Sequence, residues 1–207
     1  MTLEITFTQP AQFRDQEWVL ISLVHIDQLA SSKMLVIFFY FLMVGSMIHS
    51  KIYKACEQLL ESLASVKYDC YTKDRKMYVL APDVMLKLGI GTCWDQAWYL
   101  YNHLSKVTKT HGYFWAWYEK DKSLHTHSAV LCEDGSKFYW VEHAWGDEEG
   151  IHVFKSRQDF ENYIEPKLTS SKFIIKKPDA NYNKLNAEAN KYNGIVPDNV
   201  YWKAITS

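Results

Sequence analysis

Cysteine is scarce in this chain. Only Cys56, Cys70, Cys93 and Cys132 occur among 207 residues, and no two form a C-x-x-C pair. That spacing excludes a zinc ribbon and a thioredoxin-like dithiol. The even count permits disulfides, but the chain is neither short nor cysteine-dense. No cleavable leader is expected either, because the first apolar run starts far from Met1 and has no basic lead. A reducing compartment, the cytoplasm, is therefore expected. Charge of neither sign is in excess: 23 Lys and Arg stand against 24 Asp and Glu, for a formal net charge of −1. No global field draws such a protein to nucleic acid. The basic stretch Lys172–Lys177 is broken by Phe173, Ile174 and Ile175, which reads as a strand with snorkelling lysines. There is no internal repeat and no phosphate-binding glycine loop, and no cofactor is expected.

Apolar and aromatic residues are abundant instead. Residues 34–48, MLVIFFYFLMVGSMI, carry no charge, and 17 uncharged residues separate Lys33 from Lys51. About 17 residues is the lower limit for a membrane-spanning helix, so this segment reads as a short anchor or a buried core element. A membrane contact through residues 34–50 leaves the following domain on the cytoplasmic side, since Lys51 and Lys54 outnumber Lys33. Three parts result: a hydrophobic N-terminal extension over 1–50, a core over 51–175, and a C-terminal tail segment over 176–207. In the core, Lys51–Val66 reads as an amphipathic helix, Tyr113–Tyr118 as a strand, and Ser156–Leu168 as a closing helix. The tail is rich in Asn and Lys and contains Pro178 and Pro197. It is expected to run loosely on the surface, with Val200, Tyr201 and Trp202 docking back.

The segment Gly91-Thr92-Cys93-Trp94-Asp95-Gln96-Ala97 carries most of the functional signal. After it, Trp94, Ala97, Trp98, Tyr101 and Leu104 recur at helical spacing. Thr92 suits the N-cap, and Asp95 and Gln96 suit the first turn. Cys93 then falls in that turn, where unpaired N–H groups favour a thiolate and can receive an oxyanion. A hairpin lies downstream. Ser128–Cys132 and Lys137–Glu142 flank Glu133-Asp134-Gly135-Ser136. Asp-Gly as a two-residue loop pairs Val130 with Tyr139 and His127 with Glu142. Opposed residues share a face. The turn chemistry thus predicts a His–Glu contact without reference to catalysis. Cys93 becomes the nucleophile, His127 the acid–base, and Glu142 the group that orients the imidazole. Trp94, Trp115, Trp117 and Trp140 are candidates to wall the site or donate an indole N–H to an oxyanion. Taken singly, a free cysteine is more often inert packing, and a strand histidine beside a glutamate is often a satisfied buried pair. Their joint placement favours chemistry.

The blocks GTCWDQA, THSAVL and KFYWVEHAW, with Gly150-Ile151-His152 after them, resemble the transglutaminase-like superfamily of papain-like cysteine enzymes. More narrowly they are similar to a little-characterised bacterial and phage group of that type. The resemblance covers roughly residues 51–175. It implies an α+β fold in which a central helix packs on a small antiparallel sheet, with the site between them. It assigns the nucleophile to Cys93 and the catalytic histidine to His127. Glu142 stands where the superfamily often has Asp, and either carboxylate can orient an imidazole. The implied activity is a hydrolase or acyltransferase acting on amide bonds of a protein or peptide through a thioester, of the peptidase, deamidase or transglutaminase type. Two rival readings stand beside it. One is a catalytically silent interaction protein on the same fold. The other is a His-rich metal site drawing on His125, His127, Glu142, His143 and His152.

Overall fold

The structure, a computed structural model, describes residues 51–207. It opens on a helix over 51–63 (α1), followed by β1 (Lys67–Tyr68), β2 (Tyr71–Lys73), β3 (Lys76–Leu80), α2 (Pro82–Leu88), β4 (Ile90–Gly91) and α3 (Cys93–Leu104). Next come β5 (Thr110–Tyr118), β6 (Leu124–Asp134), β7 (Lys137–Glu142), β8 (Gly150–Phe154), α4 (Arg157–Leu168) and β9 (Phe173–Pro178). The chain closes with α5 (Tyr182–Ala189), β10 (Ile195–Pro197) and α6 (Asp198–Thr206). This is an α+β fold of helices and antiparallel sheets. Segment 34–50, and with it the choice between anchor and core, lies outside the described residues. Among those described, no helix is long and apolar enough to cross a membrane.

The main sheet has five strands in the order β8-β7-β6-β5-β9, with every neighbouring pair antiparallel. β5 explains its layering. His111 to Trp117 are buried without interruption, the signature of a strand covered on both faces. Alternation then sorts the side chains. Phe114 and Ala116 join Val130, Cys132, Tyr139 and Val141 beneath α1, α3, α5 and α6. Tyr113, Trp115 and Trp117 join Ala129, Leu131 and Trp140 beneath Phe160 and Ile164 of α4. The sheet is therefore the middle layer of three. A smaller antiparallel sheet, β10-β3-β2, and a parallel two-residue bridge between β1 and β4 flank it in sequence.

The expected loose tail is overturned. The strand read over Lys172–Lys177 is present as the edge strand β9 against β5, but beyond it β10 pairs with β3. Tyr182, Leu185, Val196, Tyr201 and Ile205 are fully buried. Asn183, Lys184, Asn190, Lys191 and Asn193 occupy exposed positions between these anchors, whereas Asn186 turns to α3 and accepts from the Trp98 indole at 2.6 Å. Asn181 itself caps α5, accepting from Lys184 N. Other expectations hold closely. Ser156 caps α4, Phe160 and Ile164 are its buried stripe, and Tyr201 stacks on Trp94 with ring centroids 5.0 Å apart.

Gly112 shows how tightly the C-terminal segment is seated. Its carbonyl accepts from Ala180 N at 2.8 Å, and a Cβ added there would stand 2.4 Å from the Tyr182 ring. Gly112→Ala is expected to destabilise the fold by about 1–3 kcal/mol, the usual range for overpacking, as a lowered midpoint in urea unfolding. An unchanged midpoint would show that α5 does not bear on β5.

Candidate active site

Cys93 is placed by a dense set of hydrogen bonds at the start of α3. Thr92 is the N-cap, in extended conformation, and its hydroxyl oxygen accepts from Trp94 N at 3.3 Å. Asp95 completes the capping box. Its carboxylate accepts from Thr92 N at 2.6 Å, from the Thr92 hydroxyl at 2.8 Å and from Leu80 N at 2.5 Å. The end of β3 and the start of α3 are thus tied to one buried side chain. Burial pushes Asp95 up to about 6 against the pull of those donors. Gln96 adds a brace: its amide donates to Gly91 O at 3.1 Å and its carbonyl oxygen contacts His143 Nδ1 at 2.9 Å. Cys93 is the first helical residue and is buried, and its N–H has no acceptor within the helix.

His127 and Glu142 meet as expected, but through a different register. The hairpin loop is Gly135-Ser136 rather than Asp134-Gly135. Asp134 pairs with Lys137, Cys132 with Tyr139 and Val130 with Val141. Gly135 takes φ +55° at the loop position that a type II′ turn reserves for glycine. Each β6 residue therefore faces a β7 residue two places further on than the Asp-Gly turn predicts. Because the shift is two and not one, both side chains keep their face. His127 and Glu142 become diagonal neighbours, and Nε2 of His127 lies 3.2 Å from Oε2 of Glu142.

The diagonal contact is possible because the sheet opens there. Pairing of β6 with β7 ends at Val130–Val141, whereas β5–β6 pairing continues to Tyr118–Leu124 and β7–β8 pairing to Glu142–Gly150. Past that point the other oxygen of Glu142 accepts from Ala144 N at 2.7 Å and from Trp145 N at 3.0 Å. The carboxylate is buried and held at both ends. His127 and Glu142 belong to the α4 face of the sheet, as His127 pairs directly with Trp115. Cys93 arrives from the α3 face, and the notch between β6 and β7 brings them together.

The imidazole is buried, which by itself would lower its pKa. Hydrogen bonds to the Cys93 and Glu142 side chains, and their negative charge, outweigh that effect and raise it to about 10. Glu142 occupies Nε2, so Nδ1 is the nitrogen left for the thiol. The ring of Trp115 stacks against His127 at 6.3 Å and that of Trp145 meets it edge-on at 5.4 Å. Trp145 is held in turn through the short helix Gly146–Glu148. There Glu148 accepts from the Tyr163 hydroxyl at 2.8 Å and pairs with Lys167.

A cavity of about 320 Å³ opens at the thiol, lined by Tyr68, Asp69, Cys70, Met77, Thr92, Cys93, Trp94 and Thr126. Of the four expected tryptophans, Trp94 walls it and Trp115 backs the histidine. Trp117 and Trp140 belong to the core beneath α4, Trp117 stacking on His125 and Trp140 on His152. The expectation of an indole donor for an oxyanion is not met. Trp94 donates to the Thr126 hydroxyl oxygen at 3.1 Å, Trp115 to Glu165 at 3.2 Å and Trp117 to Glu119 at 2.7 Å. The Trp140 N–H is buried, with no partner among the described residues. Alternation along a buried strand puts these rings where packing, not the pocket, dictates.

Tyr68 and Trp145 were missed. Trp145 lies within the KFYWVEHAW block, so its proximity to Glu142 was a usable signal. Tyr68 gave none, being 25 residues before Cys93 in an unremarkable stretch. The histidines proposed for a metal disperse. His125 contacts the Ser123 hydroxyl, His143 goes to Gln96, and His152 donates to Glu148 O. Among the described residues no group of three or more His, Cys, Asp or Glu could hold a metal ion. Cys56 and Cys132 are buried against each other with sulfurs 3.9 Å apart, away from this pocket. Comparison with protein-family models, curated proteins and solved structures gives no match for this chain.

The raised His127 pKa sets a pH signature. Its folded value lies above the ordinary 6.5, so its stabilising contribution is complete below pH 6.5 and is lost as pH rises through about 10. The stability difference between wild type and His127→Gln should therefore shrink between those values. The expected decrease is about 1.4 kcal/mol or more, the equivalent of one pKa unit, measured by chemical denaturation at each pH. A difference that stays flat would mean the imidazole is not held protonated.

Proposed function

We propose that this chain is a cysteine hydrolase or acyltransferase that cleaves amide bonds of a protein or peptide through Cys93, His127 and Glu142. The observation that carries the reading is the junction itself. A helix N-terminus presents Cys93 to an imidazole whose far nitrogen is fixed by a carboxylate that two backbone N–H groups hold in turn. The resemblance of the GTCWDQA, THSAVL and KFYWVEHAW blocks to the transglutaminase-like superfamily supports the same conclusion. So does the packing of α3 on an antiparallel sheet, and a papain-like core is the finer description of the fold that we favour.

The chemistry follows from the positions. The Cys93 sulfur attacks the amide carbonyl carbon, and its electron pair forms the new C–S bond as the carbonyl π pair moves to oxygen. Collapse of that tetrahedral species restores the carbonyl and expels the amine, which leaves with the proton held by His127. The thioester that remains is attacked by water or by an amine. His127 removes the attacking proton and returns it to the departing sulfur, giving an acid or a new amide. Glu142 keeps the ring oriented and stabilises the imidazolium through both steps.

Brief treatment of the full chain with limiting iodoacetamide at about pH 6, read by intact mass, tests this. That pH lies well below the pKa of a free thiol. Wild type should gain one label at Cys93, Cys93→Ala should lose that label, and His127→Ala should take it up about 10²-fold more slowly. Slow labelling indifferent to His127→Ala would instead favour the catalytically silent interaction protein.

A further inference from the structure

A tetrahedral intermediate on Cys93 needs donors for its oxyanion, and the local inventory is short. The Cys93 N–H is available. Trp94 N is taken by Thr92, the Thr92 hydroxyl by Asp95, one N–H of the Gln96 amide by Gly91 O, and the Trp94 indole by Thr126. One backbone donor is fewer than such sites ordinarily use.

Tyr68 supplies a second. β1 and β4 form a parallel bridge that pairs Tyr68 with Gly91, two residues before the nucleophile. Lys67 N donates to Gly89 O at 2.9 Å, fixing the preceding residue as well. Tyr68 and Cys93 line the same cavity. The residue is 63% exposed, and a hydrogen bond with the Cys93 side chain is among the causes that raise its phenol. Negative charge at Cys93, then burial of the hydroxyl, hold the phenol well above its usual range, so it remains a proton donor throughout the working pH range.

We infer that Tyr68 is a catalytic residue: its phenolic O–H and the Cys93 N–H together receive the carbonyl oxygen as it becomes an oxyanion on Cys93. The inference rests on the cysteine-enzyme reading above and names a fourth member of that site. No bond to Tyr68 forms or breaks. Its proton stays on the phenol, the hydrogen bond shifting from sulfur to oxygen as charge moves there.

Two reagents separate this role from others. Alkylation by iodoacetamide joins sulfur to a methylene carbon and releases iodide, so no oxyanion develops. Acylation by p-nitrophenyl acetate joins sulfur to a carbonyl carbon, passes through an oxyanion and releases p-nitrophenolate. In the full chain, Tyr68→Phe should slow the acylation burst about 10²-fold. Its alkylation rate at about pH 6 should change much less, by at most about tenfold for the one hydrogen bond to sulfur that is lost, and its melting temperature, the fold control, should be unaltered. Equal rates in both assays would overturn the inference. So would a gain in both, which would make the phenol a cover over the sulfur, or an equal loss in both, which would make it a tuner of the thiol. Wild type that neither alkylates selectively at Cys93 nor acylates would sink the cysteine-enzyme reading, and this inference with it.

Discussion

The Glu142 carboxylate is the constraint around which the site is arranged. One oxygen turns the chain by accepting from Ala144 N and Trp145 N, and the other reaches His127. Because those N–H groups bond to Glu142, β7 leaves β6 after Val141 rather than extending the ladder. That departure makes the notch through which Cys93 is reached, and it delivers Trp145 onto the imidazole. Sheet termination, the orientation of His127 and the aromatic wall thus share a single buried acceptor. A carboxylate accepting several short hydrogen bonds is also the inexpensive way to keep charge inside a protein, since each donor offsets lost hydration.

Asp95 works similarly on the opposite face. It accepts from Leu80 N and Thr92 N, so the helix that carries Cys93 is locked to the small sheet as well as to the large one. The two acids differ in electrostatic setting. Among the described residues Asp95 has donors but no ion-pair partner, and burial raises it to about 6. Glu142 stands beside an imidazole that it helps hold in the charged form. One acid serves position and the other serves charge.

How far the sequence revealed this follows from the range of the interactions involved. The α3 start was legible because capping is local: Thr92, Asp95 and the helical stripe lie within a dozen residues. The His127–Glu142 contact was legible by parity more than by register. The loop moved from Asp134-Gly135 to Gly135-Ser136, yet a two-residue change of partner preserves the face. The tail was misread because its composition is that of a loop, whereas its fold depends on a few spaced anchors, Tyr182, Leu185, Val196 and Tyr201, which close only against β5, β3 and α3. Trp117 and Trp140 were misassigned because alternation along β5 and β7 puts them under α4. Tyr68 was invisible because a two-residue bridge leaves no periodicity to detect.

The layering gives the site a further property. His127 and Glu142 lie on the face covered by α4, with Trp115 and Trp140 around them, while Cys93 stands in the cluster beneath α3, α5 and α6. The sheet between them is continuous except at the β6–β7 notch. The thiol–imidazole distance is therefore set by two cores packed from opposite sides, and a shift in either changes it. Tyr201 of α6 stacks on Trp94 and contacts the Ser128 hydroxyl at 3.1 Å, one residue from Cys93 and one from His127. The C-terminal helix thus touches both elements that must stay in register. For this reason the segment that reads as a tail belongs, physically, to the framework of the site.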